Sequence, residues 1–155
     1  MDRTVVVRPD EGRLLDLGNF EARVIVDGPE TEGAFSLIQT RREPPGFGPP
    51  LHRHQDAAEA FYVLEGTYQV FADDQQHECP PGTFVYVPRA APHTFQVVSS
   101  TPGVKLNLFA PAAMVGFFAE LSIAEATGRA TPELLDRIAH DNRMEVLGPV
   151  PDSYL

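Results

Sequence analysis

Glycine and proline leave little room for long elements in the first two thirds of this chain. Fifteen prolines and twelve glycines are spread through 155 residues. From Val5 to Ala110 they cut the sequence into short runs rich in β-branched and apolar residues. Val5–Val7, Ala22–Asp27 and Phe35–Arg42 come first, punctuated by Gly12, Gly18, Gly28-Pro29 and Gly33. Glu59–Leu64, Thr67–Phe71, Thr83–Val87, His93–Val98 and Val104–Phe109 follow, separated by Gly66, Asp73-Asp74, Pro80-Pro81-Gly82, Pro88 and Pro102-Gly103. Short strands at this spacing predict an antiparallel sandwich or barrel. The length suits one domain with a real core, over residues 1–155.

The texture changes after Pro111. Met114, Phe117, Phe118 and Leu121 recur at helical spacing. A second helix has its start written at Thr131, an N-cap followed by Pro132 and Glu133, with Leu134, Leu135 and Ile138 on its apolar face. The barrel core is thus expected over about residues 22–110 and a helical appendix over about 112–142, with residues 146–155 as an extended tail. The Met114 stripe is too apolar to face water. Packing on the outer sheet is the leading expectation for it, and a lid over one end of a pocket the other.

Composition excludes several functions. The net charge of −10 argues against nucleic acid. Arg41-Arg42 is the sole adjacent basic pair and is expected on a solvated strand edge. The single cysteine, Cys79, has no partner for an intramolecular disulfide and reads as a small, partly buried hydrophobe. No run approaches a membrane span and the N-terminus lacks a signal-peptide pattern, so a soluble cytoplasmic protein is expected.

Two of the five histidines, His52 and His54, stand one residue apart behind Pro49-Pro50. On a strand they share a face, roughly 7 Å apart along the backbone. Glu59 opens the next strand after a short loop, and His93 opens a later one behind Pro92, which biases Ala91 to an extended conformation. These are the third and fourth candidate ligands. Three imidazoles and a carboxylate suit Fe, Ni, Mn, Co, Cu or Zn and suit Ca or Mg poorly. His77 and His140 are expected to be structural or exposed.

The full spacing runs Gly46, His52, His54, Glu59, Gly66, and then Gly82, Pro88, His93. It resembles the two-part signature of the cupin family over about residues 35–110, with the fifteen residues Thr67–Pro81 between the parts. Ala90 stands where the family has glycine, and Val97 where it has asparagine. The resemblance implies an all-β fold, the cupin double-stranded β-helix or jelly-roll barrel, to which the short C-terminal helices are appended. It implies that His52, His54, Glu59 and His93 bind one divalent transition metal. If those ligands point inward, their strand neighbours Phe61 and Phe95 do too, and Leu37 and Gln39 are expected to add to the wall of a substrate pocket.

The family's chemistry implies a small apolar or aromatic oxygen-bearing substrate, with a dioxygenase of flavonol (quercetin) type as the leading expectation and Glu59 as general base. A metal-dependent isomerase or cyclase and a non-catalytic metabolite-binding protein are the alternatives. A homodimer is expected, its sheets extended or packed through the apolar Val5–Val7 segment.

Overall fold

The computed structural model describes residues 3–149, and the remainder of the expected C-terminal tail, 150–155, lies outside them. The elements in chain order are β1 (Arg13–Asp16), β2 (Glu21–Val26), a single 3-10 turn (Gly28–Glu30), β3 (Ser36–Glu43), β4 (Leu51–His54), β5 (Ala58–Glu65), β6 (Tyr68–Ala72), β7 (Gln75–Cys79), β8 (Phe84–Val87), β9 (His93–Val97), β10 (Gly103–Ala110), α1 (Val115–Ala126), α2 (Pro132–Asp141) and β11 (Met144–Gly148). No helix among the described residues is long and apolar enough to cross a membrane.

Two antiparallel sheets form. One has six strands in the order β1-β2-β3-β10-β5-β8, and the other five in the order β11-β4-β9-β6-β7. Among the described residues each ends in open edges, and no strand pairing joins one sheet to the other. The expected jelly-roll barrel is therefore corrected: the fold is mostly antiparallel sheet with two short helices, and its sheets do not close. The end strands give the reason. Gln75, Gln76, His77 and Glu78 of β7 are all exposed, as are three of the four residues of β1. At these two of the four edges most side chains face solvent, which leaves little apolar face for a closing pair to bury.

Side chains hold the layers together instead. Phe61, Val63, Tyr68, Val70, Val87, Phe95 and Val97 form one buried cluster between the sheets. Leu17, Ala22, Val24, Ile38, Phe109, Met114 and Met144 belong to a second, against which α1 packs Phe117, Phe118 and Leu121. Before α1, Ser36 Oγ donates to the Ala113 carbonyl at 2.6 Å and accepts from the Ala113 amide at 3.1 Å, tying the link between β10 and α1 to the start of β3. Thr131 caps α2 as expected, accepting from the Leu134 amide at 3.2 Å.

Three strands escape the sequence pattern, and one expected strand is absent. β1 is four residues long with no β-branched or aromatic residue, β7 is too polar to read as a strand, and β11 falls largely where a tail is expected. Val5–Val7 belongs to no strand, and Val5 and Val6 are exposed. Arg41 and Arg42 sit on β3, which is internal to its sheet, and both bind Glu21, at 2.8 and 2.6 Å. Cys79 is buried, and burial pushes its thiol pKa up.

Candidate metal centre

β4 reads Leu-His-Arg-His with alternating burial, so His52 and His54 turn inward while Arg53 faces out. The loop leading into β4 is pinned from behind. Thr94 Oγ1 donates to the Pro49 carbonyl at 2.7 Å, and the Gly46 amide donates to the Val97 carbonyl at 2.8 Å. A Cβ at Gly48 would run into the Phe95 carbonyl oxygen, so only glycine lets this loop lie so close to β9. β4 then pairs with β9 in a register that sets His52 directly opposite His93. The turn before His93 carries Ala90 at φ 65°, the left-handed conformation that the missing glycine would take without strain.

The ligating atoms of His52, His54 and His93 lie within 4.8 Å of one another, and all three residues are buried. Glu59 arrives from the opposite sheet on β5, placing Oε2 at 2.7 Å from His54 Nε2 and 3.8 Å from His93 Nε2. Outer contacts orient the rings. His52 Nδ1 meets the Pro50 carbonyl at 2.8 Å, and His93 Nδ1 meets the Ala91 carbonyl at 3.0 Å. Each carbonyl can only accept, so each Nδ1 carries the proton and each Nε2 presents a lone pair. Phe109 stands edge-on to His54, with ring centroids 5.2 Å apart. At the far end of β4, Asp56 binds Arg143 at 2.7 Å and so ties the loop into β5 to the β11 side.

A metal fits this donor set. Both nitrogens of His54 and Nε2 of His93 are buried with no hydrogen-bond partner in the protein, although Glu59 Oε2 approaches His54 Nε2 to 2.7 Å as an ion-pair contact. Unpaired buried nitrogens are costly, and a cation at their common focus removes that cost. Burial, with His93 and His54 nearby, lowers the His52 pKa to about 3, which keeps the ring neutral and able to ligate. Burial opposes ionisation of Glu59, but His54 and His93 outweigh it and hold the carboxyl well below the usual range. At His93, burial favours the neutral ring, yet Glu59 outweighs it and raises the pKa. The three-histidine cluster can coordinate a single divalent metal ion.

Beside the histidines lies a cavity of about 300 Å³. Phe20, Phe47, Phe95 and Phe109 supply its aromatic walls, and Met114, Phe117, Phe118 and Leu121 cover it from the helical side. The apolar stripe of α1 therefore covers the pocket, where packing on the outer sheet was the leading expectation. Phe95 lines the cavity, whereas Phe61 packs behind the histidines, its ring 6.1 Å from that of His93. Leu37 and Gln39 alternate with buried Ser36, Ile38 and Thr40 on β3 and face away from the cavity; Gln39 lines an outer groove with Arg23 and Arg41. The alternation was legible, but its phase was not. Thr40, Glu43, Lys105 and Asn107 also line the cavity and carry no signal in the sequence beyond an inward phase shared with their apolar strand neighbours. His77 and His140 are exposed, and neither lines the cavity.

A family model described as Cupin domain matches residues 40–109. The chain is 30% identical over 94 residues to the quercetin 2,3-dioxygenase of Bacillus subtilis, a match covering 61% of this chain and 28% of that protein. It spans under half the length of the curated relatives it matches. Among solved structures, a predicted oxalate decarboxylase of Thermotoga maritima superposes with TM-score 0.63 at 17% identity, over 69% of this chain and 99% of the other. KdgF of a Halomonas species gives TM-score 0.60 at 16% identity, over 69% and 94%. At such identities the structural likeness speaks for the fold alone.

Proposed function

From the premise that residues 40–109 are a cupin domain carrying a three-histidine metal cluster, we propose a metal-dependent oxidoreductase of dioxygenase type, acting on a small aromatic or enolic oxygen-bearing molecule. One observation carries this reading: buried imidazole nitrogens without protein partners open onto a pocket walled by aromatic rings. The similarity to a quercetin dioxygenase supports the choice of chemistry.

His52, His54, His93 and Glu59 would hold the ion, and Glu59 doubles as general base. A divalent metal held there would supply Lewis-acid chemistry, lowering the pKa of a substrate hydroxyl. Oε2 of Glu59 lies within hydrogen-bond reach of the histidine cluster, close enough to take the hydroxyl proton from a molecule bound beside it. Phe47, Phe95 and Phe109 orient a flat ring and exclude water, and the lower local polarity strengthens each charge contact made inside. The α1 stripe keeps the helical side of the pocket dry.

The working unit is proposed to be a homodimer. Val5–Val7 does not supply the strand first expected to build it. Support comes instead from Tyr62, Leu64, Phe84 and Tyr86, which are exposed on the outer face of β5 and β8 where β8 ends its sheet.

The test is an oxygen electrode. Protein loaded in turn with Fe, Ni, Mn, Co or Cu is offered flavonols, β-diketones and polyphenols. Consumption of dioxygen with loss of substrate is expected. Conversion without oxygen uptake would favour an isomerase or cyclase, and binding without conversion a metabolite-binding protein.

A further inference from the structure

The cavity has a second polar end, built around an ammonium group. Lys105 and Glu43 are 2% and 1% exposed, and Lys105 Nζ lies 3.1 Å from Glu43 Oε1. Thr40 Oγ1 accepts from Lys105 at 2.9 Å and from Asn107 Nδ2 at 3.1 Å, and donates to Glu43 Oε1 at 2.8 Å. The Tyr68 hydroxyl also donates to Glu43 Oε1, at 2.6 Å. A buried ion pair of this kind stabilises a fold little, because desolvation offsets the attraction and apolar residues would fill the space as well. Its place on a cavity wall, rather than inside a closed core, points to a ligand.

Two features of the cluster face that use. An ammonium has three protons, and Thr40 and Glu43 take two of them. The bonds from Tyr68, Thr40 and Lys105 all end on Oε1 of Glu43, and Oε2 accepts none of the three. The Phe95 ring lies against the ammonium, its centroid 4.1 Å from Nζ. On β10, Lys105, Asn107 and Phe109 are all buried and so share the inward face. Phe109 marks the metal end, opposite Glu59 in register, and Lys105 lies four residues away, roughly 13 Å along the strand.

We propose that Lys105 and Glu43 bind a neutral hydroxyl, a phenol on the end of the substrate remote from the histidines. The phenol oxygen accepts from Lys105 Nζ, and its O–H donates to Glu43 Oε2. The paired charges sum to zero, so a carboxylate would meet Glu43 and an amine would meet Lys105, whereas a hydroxyl satisfies both partners at once. This rests on the reading that the cavity takes an aromatic, oxygen-bearing molecule, and it narrows that class to rings hydroxylated at both ends.

The test uses two probes differing by one hydroxyl, 3-hydroxyflavone and 3,4′-dihydroxyflavone. Each is titrated calorimetrically into the protein as purified and into protein stripped with EDTA. Hydrogen bonds to charged groups predict roughly tenfold tighter binding of the dihydroxy probe in both preparations. The preference should vanish in Lys105→Met. Glu43→Gln keeps the size and an acceptor for Tyr68 and Thr40 but cannot accept a hydroxyl proton at its amide nitrogen, so it should lose the preference even if Lys105→Met fails to fold. Equal affinities in the wild type, no binding of either probe, or a preference that survives Glu43→Gln would each overturn the proposal. Absence of oxygen uptake beside an intact, Glu43-dependent preference would sink the dioxygenase reading and leave this one standing.

Discussion

The two ends of the cavity bury polar groups in opposite ways. At the histidine end, both nitrogens of His54 and Nε2 of His93 find no hydrogen-bond partner. At the lysine end, Thr40, Glu43, Tyr68, Lys105 and Asn107 supply one another with donors and acceptors. Both sets are buried between sheets, so both lost water on folding. The first set recovers that loss only when a cation arrives, whereas the second recovers most of it from itself. Replacing a residue should therefore do different things at the two ends: at one the first loss is metal binding, at the other it is the stability of the fold, with the metal spared.

The largest effect is expected at the histidines. His54→Gln should abolish metal retention on desalting, while the metal-free protein loses less stability than the Glu43→Leu variant does, because the glutamine amide keeps a donor beside Glu59 and the deleted ring nitrogens had no hydrogen-bond partner. A large loss of stability without metal would break the comparison. Glu59→Gln comes next. Turnover should fall roughly 10²- to 10⁴-fold, the usual range for a lost general base, and metal content, read by elemental analysis, should fall far less. Normal turnover with the metal in place would remove Glu59 from the base role.

At the other end, Glu43→Leu strands the Lys105 charge. It should cost about 3–5 kcal/mol in denaturant unfolding and leave metal stoichiometry unchanged. The helical cover gives a smaller effect. Phe117 and Phe118 are half-buried against the cavity, and replacing either by alanine should cost about 2 kcal/mol, less than the 3–5 typical of a fully buried phenylalanine. An unchanged melting temperature would show that α1 contributes nothing as a cover. The smallest effect lies outside the cavity. Phe84→Asp should weaken the dimer about tenfold in sedimentation equilibrium, the worth of one modest apolar contact. A wild-type monomer at micromolar concentration would contradict the dimer itself.

How far the sequence carried each end follows from the kind of signal each left. Histidine is scarce here, so two on one strand face and a third behind Pro92 stood out, and the structure sets His52 opposite His93. The lysine end left no such mark. Lys105 reads as an ordinary charged residue on a strand, and only the register of β10 against β3 and β5 brings it to Thr40 and Glu43. The same dependence on register explains Leu37 and Gln39. A strand alternates with a period of two, so its inward set is fixed only once a neighbour is known, and β3 turns Ser36, Ile38 and Thr40 inward. The closed barrel failed for a related reason. Strand count and turn spacing are local, whereas closure depends on whether the end strands of the two sheets, β1 and β8 in one and β11 and β7 in the other, pair across. β11 was unreadable because it begins immediately after α2, at Met144, and pairs with β4, some ninety residues earlier.

The central claim is that His52, His54 and His93 focus on one ion. Its most direct test is calorimetric titration of the EDTA-stripped protein with Co²⁺, beside the variant in which all three histidines are replaced by alanine. The account predicts one ion per chain in the wild type, with an absorption spectrum of nitrogen-ligated cobalt, and none in the triple variant. No binding to the wild type, or binding of one ion that survives loss of all three histidines, would contradict it.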